Sequence, residues 1–360
     1  MTNPSISTVI PTYNRSSMLK KTVMSVLHQT YENIKILIVD DCSSDDTSRI
    51  VDELMQIDKR IHYYKNNKNL GALENWKKAV SLIDTKYFSL LADDDLLAPD
   101  FYKEGINFLE NNKTIDFVIF QSLCINNSGN LTEMASYPHN SFKSYKSLDS
   151  LKAFKSGKIS DKWIGMIFNA ECKEIYASID PQNIDFGHDI RFLLRIFAAK
   201  NCSVTSKVGG YYRFHDGNIS NNIKQYSPMD ELARATRYLE IYHDINVGED
   251  VKLYAQEQIK NLELFSRRKK VFLAFAVKEY INKSIYGISS NFHDSVSDIF
   301  VHSHITSKLL NWLFRNKLLK KITKLLLKKQ IDRIKLKNKI RIQETEALVS
   351  DDLENLKKVL

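Results

Sequence analysis

Polar and acidic residues gather at the ends of four short apolar runs in this 360-residue chain. The sharpest group is Asp93-Asp94-Asp95, which follows Tyr87-Phe88-Ser89-Leu90-Leu91. Three carboxylates ending a buried strand suit a hard divalent cation, because Mg²⁺ or Mn²⁺ takes oxygen ligands and completes its octahedron with water and phosphate oxygens. A cation held there neutralises a diphosphate leaving group. The other use of such a cluster is to cap a helix near Pro99 to Leu109, since aspartate at a helix start is favoured by the dipole. Asp40-Asp41 close the run Ile34-Lys35-Ile36-Leu37-Ile38-Val39 and allow two readings as well. Aspartate at a strand end reads ribose hydroxyls or a base N–H in nucleotide-binding sheets. Turn chemistry is the alternative, with Asp45 or Asp46 capping the helix that starts at Thr47. The chain holds neither GxGxxG nor GxxxxGK[ST], so phosphate has to be held by metal and not by a glycine cradle. Later in the chain His188-Asp189 and His215 stand at element boundaries. Each histidine alone fits a hydrogen-bonded structural role; together with the acidic loops they fit one crevice.

The elements that must position these groups are legible as patterns. Residues 6–10, 34–39, 61–64 and 87–91 have strand length, and Met18 to Gln29, Thr47 to Ile57 and Leu73 to Ile83 have helical periodicity. Strands alternating with helices of this length predict a parallel sheet covered on both faces. Ligands gather at the carboxyl ends of such strands, which directs attention to Pro11 to Arg15, Asp40 to Thr47, Asn66 to Gly71 and Asp93 to Asp95. A further strand is expected at Asp116 to Phe120, followed by a stretch with weak signal to about residue 160. A helix is expected at Ile190 to Ala199, then a tyrosine-rich strand ending near His215. Beyond Asp230 the pattern is helical, at Asp230 to His243, Val251 to Tyr286 and Ser307 to about Gln343.

Composition narrows the classes. Apolar residues make up 43% and aromatics 11% of the chain, which excludes a disordered protein. The four cysteines, Cys42, Cys124, Cys172 and Cys202, have no metal-ligand spacing and suggest a reducing compartment. No run of 18 apolar residues occurs and the N-terminus lacks a signal pattern, so neither export nor a membrane span is expected. The net charge of +9 is local: residues 308 to 341 carry 13 Lys/Arg against Asp332, a net +12. Leucines and isoleucines recur there at helical intervals, and a basic amphipathic helix of this kind lies in an anionic membrane interface. A helix packed on the rest of the chain, or a dimerising pair, is the alternative.

Taken together, TVIPTYNR, ILIVDDCSSDDT, NLGALENW, LLADDDLLAPD and FGHDIRFLLR resemble the family 2 nucleotide-sugar glycosyltransferases over about residues 5 to 220. The resemblance implies an α/β GT-A fold, Rossmann-like with a mostly parallel central sheet and helices on both faces, followed by a helical C-terminal extension. A catalytic domain at 1–222 is implied, its nucleotide-sugar part at about 1–115 and its acceptor part at about 116–222. Residues 223–360 would be helical, with the basic helix at about 307–343. Pro11, Thr12, Tyr13, Arg15, Asp40, Asp41, Asn69, Gly71, Asp93 and Asp94 would bind the nucleotide-sugar. Asp94, with Asp95 adjoining and His215 approaching, would hold Mn²⁺ or Mg²⁺. Asp189 would be the catalytic base of an inverting transfer from a UDP-sugar, the favoured donor, to a saccharide or lipid-linked saccharide in cell-surface polysaccharide synthesis. His188 departs from the family pattern, in which an acid often precedes the base.

The implied address is cytoplasmic, peripheral on the inner membrane, with homo-oligomerisation open. Two rivals stay in view. A sugar-phosphate nucleotidyltransferase also joins an α/β sheet to acidic metal ligands, but PTYNR stands where its glycine-rich loop would be. A non-catalytic basic protein binding nucleic acid or membrane would rest on the tail, where only Trp312 and Phe314 interleave with the charges. No nucleic-acid partner is expected.

Overall fold

The computed structural model describes residues 3–134, 141–159, 162–179, 188–215, 218 and 247–267. The chain divides into two compact units, the first running through His215. This first unit opens with β1 (Ile6–Thr12), α1 (Ser16–Leu27), β2 (Ile34–Asp40), α2 (Thr47–Ile57), β3 (Ile61–Lys65), α3 (Ala72–Ser81) and β4 (Tyr87–Leu90). Next come β5 (Leu96–Leu97), α4 (Phe101–Asn111), β6 (Phe117–Asn126), β7 (Leu131–Met134), β8 (Lys143–Tyr145) and α5 (Ser147–Lys155). A 3₁₀ turn at Trp163–Gly165 leads into β9 (Met166–Asn169), then α6 (Lys173–Ala177), α7 (His188–Ala199) and β10 (Cys202–Phe214). A further helix, α8 (Glu249–Arg267), mostly in the second unit, falls within the region where helix is expected. The basic segment 307–343 lies outside the described residues.

The sheet runs in the order β3-β2-β1-β4-β9-β6-β10-β5, with β7 beside β6 and β8 beside β10. β1, β2, β3 and β4 pair in parallel, so β1 to β3 step one way and the chain then returns to place β4 on the other side of β1. This reversal makes the carboxyl ends of β1 and β4 the topological switch point, where a crevice opens between loops of opposite direction. β1 is buried along its whole length because its neighbours and the helical layers cover it. Pro11 lies past Val9–Leu90, the last pair with β4, where its missing N–H costs no ladder bond on that side.

The sheet is mixed: β5, β7 and β8 pair antiparallel at its margins, and β9 sets an antiparallel strand at its centre. β9 runs antiparallel to both β4 and β6, setting Phe168 opposite Phe88 and Phe117. The three rings stack with centroids 5.1 and 5.5 Å apart, and Phe192 of α7 meets Phe168 edge-on at 5.4 Å. These stacks bury large apolar surface at the centre of the sheet and seat α7 on that face.

A buried polar contact joins the first half of the sheet to α4. The Tyr102 hydroxyl lies 2.6 Å from both Thr8 Oγ1 of β1 and Ser89 Oγ of β4. Burial pushes the tyrosine's pKa upward, so it stays a neutral donor and acceptor. Replacing it with phenylalanine deprives two buried hydroxyls of this partner. The expected cost is about 1–3 kcal/mol, read as a lowered urea midpoint at unchanged slope; an unchanged midpoint would contradict the account.

Candidate active site

The loop after β4 carries the three aspartates, and the sheet decides what surrounds them. None of the three caps α4: that helix begins after Asp100, its N-cap residue. The acid turn is backed from beneath by Thr22 of α1, whose Oγ1 lies 3.0 and 2.8 Å from the carbonyl oxygens of Asp93 and Asp95. Thr12, the last residue of β1, donates its hydroxyl to Asp93 Oδ2 at 2.7 Å. Arg15 reaches across from the next loop and donates from Nη1 to Asp93 Oδ1 at 3.1 Å and Asp94 Oδ2 at 2.6 Å. From the end of β10, His215 Nε2 comes within 3.1 Å of the same Asp94 oxygen. Arg213 donates its backbone N–H to Asp95 Oδ1 and its Nε–H to the Asp94 carbonyl, both at 2.9 Å.

All three carboxylates are buried. Burial first, and the neighbouring Asp94 charge second, push the Asp93 carboxyl up to about 6 against the pull of Arg15 and Thr12. The same two causes raise Asp95 well above the carboxylate range. A site that crowds like charges in this way favours an added cation. Among the described residues no three His, Cys, Asp or Glu side chains form a ready metal cage. Yet Asp94 Oδ2 and His215 Nε2 meet at one point with the Arg15 guanidinium beside them, supplying positive charge. This donor set fits a divalent ion that takes its other ligands from water and a substrate. Asp95 adjoins, with one oxygen committed to the Arg213 amide.

A second group forms where β2 ends. Asp41 Oδ1 accepts from Asn66 Nδ2 at 2.9 Å and Leu70 N at 2.8 Å, and Oδ2 accepts from Gly71 N at 2.9 Å. Asn66 in turn bonds Asn75 of α3, which donates to the Val39 carbonyl, so loop, helix and strand fix one carboxylate. Three of its roughly four lone-pair positions are filled. Gly71 has φ 83° and ψ 161°, a conformation essentially reserved for glycine, and it places the amide on Asp41. Asn69 Oδ1 accepts from the same amide at 2.8 Å. The Asp41 N–H donates to the Thr12 carbonyl at 2.9 Å and so joins this group to the acid cluster.

Asp40 is used inside the fold: Oδ1 accepts from Ser43 N and Oδ2 from the Tyr63 hydroxyl, at 2.8 and 2.6 Å, and no part of it is exposed. Asp45 bridges the helix starts, accepting from Ser16 N and Thr47 N at 3.0 Å each. Tyr13 differs from its neighbours, with 47% of its surface exposed at the mouth between the β1 and β2 loops. Asn14 takes the left-handed φ of 52° and bonds Ser43 and Ser44, which stitches those two loops together.

Asp189 sits in the first turn of α7, where the helix dipole favours its negative charge, and accepts from the Ile190 amide at 2.8 Å. Beside it His188 Nδ1 is 2.9 Å from the Tyr176 hydroxyl. Burial lowers the His188 pKa, while the Asp189 charge acts in the opposite sense. The structure thus brings Thr12, Arg15, Asp93, Asp94 and His215 into one hydrogen-bonded cluster, links Asp41, Asn69 and Gly71 to it, and places Asp189 in a separate group with His188 and Tyr176. Thr22 and Asn66, which hold the acids in place, carry no mark in the sequence beyond being polar residues within otherwise amphipathic or loop segments.

Comparison with known proteins agrees with this architecture. Residues 7–170 match the profile described as Glycosyl transferase family 2. An uncharacterized glycosyltransferase of Methanocaldococcus jannaschii is 33% identical over 133 residues, 36% of this chain and 46% of that protein. A Campylobacter jejuni GalNAc(5)-diNAcBac-PP-undecaprenol beta-1,3-glucosyltransferase is 35% identical over 95 residues, covering 26% of this chain and 31% of that protein. The chain therefore spans less than half of the length of these curated relatives. The crystal structure of S. aureus TarS 1-349 in complex with UDP-GlcNAc superposes with a TM-score of 0.57 at 18% identity, over 77% of this chain and 81% of that one. At that identity the likeness speaks for the fold, which is GT-A. Residues 7–170 thus carry the match to glycosyl transferase family 2, on the GT-A fold.

Proposed function

We propose that the chain transfers a sugar, with inversion, from a nucleoside diphosphate sugar to a hydroxyl of a saccharide or lipid-linked saccharide, in cell-surface polysaccharide synthesis. The observation that carries this reading is the convergence of Thr12, Arg15, Asp93, Asp94 and His215 at the switch point of the sheet, with the exposed Tyr13 ring and the fixed Asp41 carboxylate alongside. UDP-sugars are the favoured donors. TarS has been crystallised with UDP and with UDP-GlcNAc, and the Campylobacter relative is named for an undecaprenol-linked acceptor.

The residues divide the work. Tyr13 offers a ring face to the base, with Pro11 and Thr12 forming the floor behind it. Asp41 has a lone-pair position left for a base N–H or a ribose hydroxyl, held in direction by Asn66, Leu70 and Gly71. Arg15 and Arg213 bring positive charge to the diphosphate end. Asp94 and His215, with Asp95 adjoining, would hold Mn²⁺ or Mg²⁺, which supplies Lewis-acid neutralisation of the departing diphosphate. Asp189 removes the proton of the acceptor hydroxyl as that oxygen attacks the anomeric carbon from the face opposite the nucleotide.

Calorimetric titration of the intact protein with UDP-GlcNAc, UDP-glucose and GDP-mannose, each with Mn²⁺ and again with excess chelator, tests the donor class. Saturable binding of a UDP-sugar that disappears with chelator is expected. A ligand at 100 times its Kd adds about 2.7 kcal/mol of native-state stability, visible as a raised melting temperature. Equal binding with and without metal would contradict the metal assignment, and no binding to any of the three would contradict the donor assignment.

The net charge of +12 between residues 308 and 341 supports a peripheral seat on anionic membrane for the same protein. Among the described residues no helix is long and apolar enough to cross a membrane. The intact protein is expected to sediment with phosphatidylglycerol vesicles at 0.05 M salt and progressively less toward about 0.5 M, where screening shortens below 10 Å. Failure to sediment at every salt concentration would remove the membrane assignment.

A further inference from the structure

The cluster beside Asp189 is aromatic, and only part of it is buried. Trp76 of α3 and Tyr176 of α6 are closed off from solvent, whereas Trp163 and His188 are only partly covered. The Trp163 ring lies 4.8 Å from Trp76, 6.3 Å from Tyr176 and 5.9 Å from the His188 imidazole, centroid to centroid. The two buried rings fix the two accessible ones from behind. The Tyr176 hydroxyl occupies His188 Nδ1 at 2.9 Å, so that ring's orientation is set and its Nε2 is the nitrogen left for a ligand.

The turn carrying Trp163 is seated with little freedom. A Cβ on Gly165 would come within 2.6 Å of the Phe120 carbonyl oxygen, and one on Gly210 within 2.9 Å of Ile164 Cγ1 and of the Leu96 carbonyl oxygen. Two glycines therefore let the turn press against β6 and β10, next to the strand that follows Asp95. Lys162, one residue before Trp163, sets its ammonium 4.2 Å above the Tyr212 ring, and its charge is among those acting on Asp95. The turn thus spans from the acid cluster at one end to His188 and Asp189 at the other.

We propose that Trp163 and His188 form the acceptor subsite, taking a pyranose whose hydroxyls are mostly equatorial. Such a sugar, a β-glucoside or β-N-acetylglucosaminide, has one face of axial C–H groups that gains by lying on an indole, while its rim hydroxyls need a directed partner such as His188 Nε2. The neighbouring Asp189 then meets the hydroxyl to be activated. This assignment rests on the glycosyltransferase reading above and adds the acceptor's chemical class.

Saturation-transfer NMR on the intact protein, with UDP and Mn²⁺ present and methyl β-glucoside or methyl β-N-acetylglucosaminide as probe, tests it. Saturation is expected on the axial ring protons of the glycoside. It should be lost in Trp163→Ala, retained in Trp163→Tyr, and accompanied by about fivefold to tenfold weaker glycoside binding in His188→Phe, the scale of one directed hydrogen bond. UDP saturation in each variant reports that the fold and donor site are intact. Glycoside saturation equal in Trp163→Ala and the parent, or absent from the parent while UDP saturates, would overturn the subsite. Glycoside contact without any UDP contact would leave the subsite standing and overturn the donor reading; absence of both would overturn both.

Discussion

Asp94→Ala is expected to reduce sugar transfer about 10³-fold or more while leaving the melting temperature within a few degrees of the parent. Its carboxylate is addressed by both Arg15 and His215, at 2.6 and 3.1 Å, so its removal takes away a centre on which positive charge is gathered. Electrostatic groups aimed at a developing anion each contribute about 10² to 10³ in turnover, and a metal ligand adds its ion's share. The fold survives because Asp93 keeps Thr12 and Arg15 as partners and Thr22 still holds the turn by its backbone carbonyls. Calorimetry should show metal-dependent UDP binding lost with activity. Retention of full transfer in excess chelator, or in the variant itself, would contradict the role given to this acid.

Asp189→Asn is expected to separate chemistry from binding. The side chain keeps its shape and place in the first turn of α7, but the amide cannot accept a proton. Turnover should fall by about 10² to 10⁴, the range general-base catalysis supplies, with donor affinity unchanged within a few fold. The acid lies with His188 and Tyr176, apart from the hydrogen-bonded cluster that includes Asp94. A variant that loses UDP-sugar binding along with turnover would show Asp189 to be a donor ligand instead.

The strands that build the donor half are legible because they are buried on both faces. Parallel strands between two helical layers read as continuous apolar runs, and Ile34 to Val39 is one of them. What escapes sequence reading depends on partners distant in the chain. β9 is four residues long, preceded by a 3₁₀ turn and a glycine, and becomes a strand because β4 and β6 offer edges on either side of it. α5 and α6, nine and five residues long, lie in a stretch whose polar composition hides their short apolar faces.

In the site, residue types announce the acids but not their pairing. Arg15, expected among the nucleotide-sugar-binding residues, is found neutralising Asp93 and Asp94, a pairing its sequence position does not announce, because buried like charges require a counter-ion whatever else binds. Asp40 and Asp41 are adjacent in sequence yet part company in space, since successive residues leave a strand in opposite directions. One is consumed by Ser43 and Tyr63, and the other is aimed by the loop before α3.

The central claim is that the acid cluster receives a nucleoside diphosphate sugar and that Asp189 works from the opposite side of the anomeric carbon. Incubating the intact protein with Mn²⁺, UDP-α-N-acetylglucosamine and an undecaprenyl-diphosphate-linked saccharide, and following nucleotide and product by NMR, tests it most directly. The account predicts that UDP is released and that the new glycosidic bond is β. Release of sugar 1-phosphate in place of UDP, or an α-linked product, would contradict it.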